Sequence, residues 1–168
     1  MDQESLDAAQ ALLHLCARKK LMLAVAESCT GGLLAATLTD IPGSSRVLDR
    51  GYVTYSNEAK LQIGVSAATL ERYGAVSRET AEAMAKGVLA NAPVTLSAAV
   101  TGIAGPDGGT MEKPVGLVHF AVAASRSGKL IHHEHRYGEI GRAQVRRLSV
   151  LRAIAMLRDL AEGEDFTN

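Results

Sequence analysis

Residues 21–32 read LMLAVAESCTGG. The opening run is apolar and of strand length, as expected for a strand covered on both faces of a sheet. A carboxylate, two hydroxyls flanking a thiol, and two glycines follow, before LLAATLTDI runs up to a stop at residues 41–43, IPG. A helix is expected over residues 30–40. A buried strand handing over to a helix is the building unit of a layered α/β domain. At such a junction a Ser or Thr hydroxyl can cap the helix, or the unpaired backbone N–H groups can hold an anion or a developing oxyanion. Ser28, Cys29 and Thr30 are thus nucleophile candidates, and Ser28 or Thr30 a candidate cap. Ser28 is not set in a G-x-S-x-G elbow, so the α/β-hydrolase pattern is not met.

The flanking sequence supports the same architecture. Residues 5–20 repeat Leu6, Ala9, Leu13 and Cys16 at helical steps and close on ARKK. VLDRGYVTY, residues 47–55, is strand-like, and short helices are expected over residues 57–62 and 66–73. Ser77, with Glu79 in the first turn, opens a longer helix that Asn91 and Pro93 end. TLSAAVTGI, residues 95–103, is a strand before the glycine-rich AGPDGGTMEKP. Residues 116–124 and 129–137 flank the hairpin turn SRSG, and a last helix runs over about residues 141–161. Helices alternate with strands, which predicts a single three-layer α/β/α domain with a mixed sheet over residues 1–168, ending in a loose tail at 163–168. No repeat, low-complexity linker or charge block divides it.

Composition narrows the function. Lys plus Arg and Asp plus Glu are 18 each, so the formal net charge is zero, which disfavours a nucleic-acid partner bound through a basic face. Aromatic residues are 4% of the chain, with no Trp, which does not suit a base-stacking platform. No apolar run approaches a membrane span, and the acidic start MDQESLDAAQ is unlike a signal peptide, so no membrane partner and a cytoplasmic location are expected. Cys16 and Cys29 offer neither metal-ligand spacing nor a disulfide framework. No metal and no cofactor are expected.

Two further segments are richer than packing requires. In GYVTYSNEAK, residues 51–60, Tyr55 and Lys60 flank a turn. They are either a strand end and a solvated charge, or a lysine kept neutral by burial that serves a hydroxyl as base. In TGIAGPDGG, residues 101–109, four glycines follow a strand, as a long connection or an anion-binding nest. Neither a P-loop nor a dinucleotide fingerprint is present. Alternation sends His132 to the face opposite His133 and His135, and no Cys or carboxylate completes a metal set. His119 is expected in the core. Arg142, Arg146, Arg147 and Arg152 are expected mostly on a solvated face, with Arg142 at the helix start able to approach a phosphate.

AESCTGG, DIPGSS, RGYVTYSNEAK with LQIGV, GAVS, VTGIAGPDGG and KPVG occur in that order. Together they resemble the CinA C-terminal domain family, which includes stand-alone nicotinamide-nucleotide amidohydrolases, from about Leu13 to Leu157. The resemblance implies a compact α/β/α domain that self-associates, as a dimer here, and needs no metal. It implies a small-molecule nucleotide substrate: nicotinamide mononucleotide, hydrolysed at its carboxamide to nicotinate mononucleotide and ammonia, which return to NAD synthesis. In longer members a molybdopterin-binding-like domain precedes this one; the 168-residue chain is read as the CinA C-terminal-like unit without it.

By the same resemblance the nucleophile falls on Ser28, its base on Lys60 and a nearby tyrosine on Tyr55. Thr30, Gly31 and Thr101 fall in the pocket, and Gly102, Gly105 and Gly109 in the glycine-rich loop. Arg142, within GEIGRAQVRR, matches the arginine of G-D-R-x-x-V-R-R, with Gly141 in place of the acidic residue. Amide hydrolysis needs an activated nucleophile and a prepared oxyanion site. Lys60 would supply the first through Ser28, and N–H groups of residues 29–31 the second, while Tyr55 relays a proton or orients Lys60. The rival expectations are a catalytically silent nucleotide-binding or regulatory module, and an amidohydrolase for another small carboxamide.

Overall fold

The structure is a computed structural model, and it describes residues 1–165. Helix α1 (Gln3–Lys19) leads into strand β1 (Leu23–Glu27), helix α2 (Leu33–Thr39) and strand β2 (Leu48–Val53). Three helices follow: α3 (Asn57–Ile63), α4 (Ala67–Tyr73) and α5 (Arg78–Asn91). Strands β3 (Leu96–Gly102), β4 (Leu117–Ala124) and β5 (Leu130–Arg136) precede the long helix α6 (Arg142–Gly163). The five strands form one sheet in the order β2-β1-β3-β4-β5. The pairs β2–β1 and β1–β3 are parallel, whereas β3–β4 and β4–β5 are antiparallel. The expected mixed sheet between helical layers is therefore present.

Strand alternation sorts the side chains by size. Leu23, Val25, Ala98, Val100, Val118, Phe120 and Val122 point to one face and pack with Leu12, Leu13, Leu34, Ile154 and Leu157 of α1, α2 and α6. The other face is mostly alanine: Ala24, Ala26, Ala99, Ala121 and Ala123, packed against Met84, Ala85 and Val88 of α5. Small residues let α5 approach the sheet closely, and Ser97 donates from this face to the Ala85 carbonyl at 2.8 Å. Gly87 permits a similar approach by α3, because a Cβ there would stand 2.0 Å from the Ile63 carbonyl oxygen.

Two boundaries differ from expectation. Helix α2 begins at Leu33, three residues after the expected start, because Gly31 and Gly32 adopt φ of +55° and +95°, outside the right-handed helical region. Helix α6 extends to Gly163, and Glu164 is buried, with its backbone carbonyl accepting from Lys19 Nζ at 2.8 Å. That part of the expected loose tail is held in place; residues 166–168 lie outside the described residues. No helix among the described residues is long and apolar enough to cross a membrane.

Candidate active site

The parallel strands β1 and β3 end side by side, and their carboxyl ends carry the site. The ladder continues one residue beyond β1: Ser28 N–H donates to the Val100 carbonyl at 2.9 Å, and Thr54 N–H donates to the Glu27 carbonyl at 2.8 Å. Ser28 is thereby fixed between the ends of β2 and β3. From β2 the chain turns through Thr54 and Tyr55 into α3, whose cap Ser56 accepts from Ala59 N–H at 3.0 Å. One turn into that helix, Lys60 directs its side chain back under the turn.

Lys60 is 1% exposed. Its Nζ donates to the Thr54 carbonyl at 2.7 Å, reaches the Tyr55 carbonyl at 3.4 Å, and lies 3.1 Å from Ser28 Oγ. Among the described residues no carboxylate pairs with it. Desolvation without a counter-ion disfavours the ammonium, so burial holds the Lys60 pKa below the ordinary lysine value. A neutral amine has two N–H groups and one lone pair. With both N–H groups on the carbonyls, the lone pair is left for the Ser28 hydroxyl, the arrangement a general base requires.

Neither Ser28 nor Thr30 caps α2. The buried Glu27 carboxylate does so, accepting from Gly32, Leu34 and Ala35 N–H at 3.1, 3.0 and 2.8 Å. Those helix-start donors are therefore committed to Glu27. Gly31 N–H is also taken, by the Ser28 carbonyl at 3.0 Å. Of the N–H groups of residues 29–31 expected to serve an oxyanion, Cys29 and Thr30 remain unpaired among the described residues. Cys29, 5% exposed, has its thiol pKa raised to about 12 by burial, so it is not a thiolate near neutral pH.

A cavity of about 280 Å³ opens above this pair. Of the residues expected at the site, Ser28, Lys60, Tyr55, Thr101, Gly102, Gly105 and Arg142 line it together. Thr30, Gly31 and Gly109 do not. Thr30 is fully buried, its carbonyl accepting from Arg146 Nη2 at 2.9 Å and its hydroxyl unpartnered. A Cβ on Gly31 would lie 3.7 Å from Arg146 Nη2 and 3.9 Å from the Tyr55 ring. Gly109 turns to an adjoining outer cavity, where a side chain would meet Val115 N at 2.7 Å.

Arg142, the first residue of α6, donates from Nη1 to the Gly105 carbonyl and from Nη2 to the Tyr55 hydroxyl, each at 2.9 Å. It thus joins the glycine-rich loop to the Tyr55 turn across the cavity. The Tyr55 ring is exposed; its hydroxyl serves Arg142, and only its backbone carbonyl reaches Lys60. Orienting Lys60 fits this geometry, whereas proton relay through the phenol has no support in it. Thr101 Oγ1 donates to the Ala75 carbonyl at 2.7 Å and anchors the segment preceding α5 as a wall. Gly102 is required sterically, since a Cβ would fall 2.7 Å from the Leu117 carbonyl oxygen.

Sequence reasoning missed Thr54, which contributes a backbone carbonyl and so leaves no side-chain signature, and Asn57 and Asp107, which line the cavity. Arg146, expected on the solvated face, instead reaches inward to hold the Thr30 turn. The histidines follow the alternation: His132 Nε2 lies 2.9 Å from His119 Nδ1 on the α5 side, and His133 meets Arg152 of α6. His119 is buried, as expected.

The family model for the CinA C-terminal domain matches residues 5–161. The chain belongs to this family. Among curated CinA relatives, a putative competence-damage inducible protein of Acetivibrio thermocellus is 55% identical over 137 residues, 81% of this chain and 32% of the relative. One from Thermoanaerobacter pseudethanolicus is 47% identical over 161 residues, 94% of this chain and 37% of the relative. The chain thus spans about a third of the length of these relatives. Among solved structures, a competence/damage inducible protein of Agrobacterium tumefaciens superposes with a TM-score of 0.93 at 49% identity, covering 95% of this chain and 97% of that one. A CinA superfamily protein of Escherichia coli gives 0.87 at 34% identity, covering 96% and 92%.

Proposed function

We infer that this chain hydrolyses the carboxamide of nicotinamide mononucleotide, releasing ammonia and nicotinate mononucleotide, with Ser28 as nucleophile and Lys60 as base. The observation that carries the reading is the buried Lys60 amine 3.1 Å from Ser28 Oγ, with no counter-ion among the described residues. A lysine used for solubility stays in water, and one used structurally pairs with a carboxylate. This one has neither environment, and it faces a hydroxyl that caps no helix.

In the proposed reaction Ser28 Oγ attacks the carboxamide carbon as the Lys60 lone pair takes its proton. The tetrahedral oxyanion is received by backbone N–H groups, for which Cys29 and Thr30 are the uncommitted donors of the turn. The Lys60 ammonium returns its proton to the departing nitrogen, the C–N bond breaks and ammonia leaves. Water, deprotonated by Lys60, then attacks the Ser28 ester. The C–O bond to Ser28 breaks, Ser28 recovers a proton from Lys60, and the carboxylate product leaves. Arg142 is the cation available for the remote phosphate. A second copy completing a dimer belongs to this proposal, and a species of only 17.7 kDa in light scattering would remove it.

The deciding measurement is ammonia release from nicotinamide mononucleotide, nicotinamide riboside, free nicotinamide and NAD. Turnover of the mononucleotide well above the other three is expected. Turnover of none would leave the silent binding module, and preference for another of the four would move the substrate assignment.

A further inference from the structure

Among the described residues Asp107 is the single carboxylate in the cavity lining, and no hydrogen bond or ion pair engages it. Arg142 lines the same cavity, yet the two do not pair; its guanidinium is directed to the Gly105 carbonyl and the Tyr55 hydroxyl instead. Opposite charges that share a cavity without meeting are available to a ligand that carries both. Asp107 lies between Gly105 and Gly108, whose φ of +82° and +91° shape the loop, and it also lines the outer cavity beyond. It therefore stands at the mouth, above the buried Ser28 and Lys60.

We propose that Asp107 is the specificity-determining residue of this site, its carboxylate facing a positively charged ring while Arg142 takes the remote anion. The proposal rests on the reading of the site as a carboxamide hydrolase, and it names the substrate class: zwitterionic carboxamides with a cationic ring. A neutral ring of the same shape would gain nothing from Asp107. The attraction acts on the ring both before and during acyl transfer, because the ring charge persists throughout, so it contributes uniform binding and is read in KM more than in kcat.

The test compares nicotinamide mononucleotide, whose ring is cationic, with its 1,4-dihydro form, which is neutral and keeps the ribose and phosphate. The KM of the first and the inhibition constant of the second against it are measured for the parent protein and for Asp107→Asn. This substitution keeps the shape of an exposed, unpaired side chain. The expected result is a KM for the cationic substrate raised about threefold, kcat little changed, and the inhibition constant of the neutral analogue unchanged. An unchanged KM overturns the proposal, and so does an equal rise in both constants, which would assign Asp107 to the ribose or to loop structure. Absence of ammonia release by the parent protein overturns the hydrolase reading and this inference with it. Release by the parent with no effect of Asp107→Asn overturns this inference alone.

Discussion

Three helices on this chain open directly after a serine, and all three use it in the same way. Ser56, Ser66 and Ser77 each accept a hydrogen bond from the N–H group three residues on, at 3.0, 3.0 and 3.1 Å, and so cap α3, α4 and α5. The turn before α2 departs from that pattern. Two glycines at positive φ delay the helix to Leu33, and the Glu27 carboxylate reaches over the turn to three of its N–H groups. Ser28 is thereby released from capping, and its hydroxyl faces Lys60. A serine that caps a helix stabilises the fold and is chemically occupied; one relieved of that role by a neighbouring carboxylate is free to react.

The largest effect separates the two kinds of serine by activity. Ser28→Ala is expected to lower kcat for the mononucleotide by roughly 10⁴-fold, with little change in thermal unfolding. Lys60→Ala should be nearly as severe, because the hydroxyl then keeps its proton. Near-normal ammonia release by Ser28→Ala would remove the distinction between this turn and the other three.

Glu27→Ala attacks the substitution of cap for cap. It leaves three helix-start N–H groups without their shared acceptor inside the protein, and a loss of about 3 kcal/mol in urea unfolding is expected. Activity should fall with it, since Ser28 is the next residue. If Glu27→Ala unfolds at the parental urea concentration, the carboxylate is not the cap of α2.

Lys60 provides the next effect, a difference in pH dependence. Its folded pKa is depressed, so between that value and the ordinary lysine range the unfolded chain binds more protons than the native one. The stability of the parent protein should therefore rise with pH across this window, by up to about 1.4 kcal/mol per pH unit, relative to Lys60→Met. Below the folded pKa the difference should become flat. The same protonation removes the lone pair, so kcat/KM should decline on the acid side of that pKa. Parallel stability curves for the two proteins would show a lysine that stays charged when buried. Smaller again, Ser66→Ala should cost about 1 kcal/mol while leaving ammonia release untouched, as expected of a serine that only caps.

The fold was legible because hydrophobic periodicity is local. Strands β1 and β3, the hairpin β4–β5 and all six helices lie within a few residues of where the sequence patterns put them. The site was legible in part. Ser28, Lys60 and Arg142 carry side-chain chemistry that singles them out in the sequence, and the structure brings the three to one cavity. The rest was hidden for specific reasons. The Thr54 carbonyl is backbone, so any residue could supply it. Glu27 follows an apolar run with nothing to mark that it folds over Gly31 and Gly32 to cap α2. Arg146 lies among other arginines on α6, and only the packing of α6 beside α2 turns it toward the Thr30 carbonyl.

The smallest expected effect concerns the neighbour of Ser28. Cys29 lines the same cavity, and a thiol is intrinsically a better nucleophile than a hydroxyl. Its environment works against that advantage. Burial raises its pKa to about 12, so the thiol keeps its proton near neutral pH. The Lys60 amine forms its hydrogen bond with Ser28 Oγ, not with the thiol. Successive side chains in a turn point in different directions, and here the first of the two faces the base. Cys29→Ala should retain activity within about threefold of the parent, any loss following from the small void left in the wall. The parent protein should likewise keep its ammonia release after brief exposure to a thiol-alkylating reagent. A dead Cys29→Ala beside an active Ser28→Ala would make this a cysteine enzyme and transfer the role of the exceptional turn from the hydroxyl to the thiol.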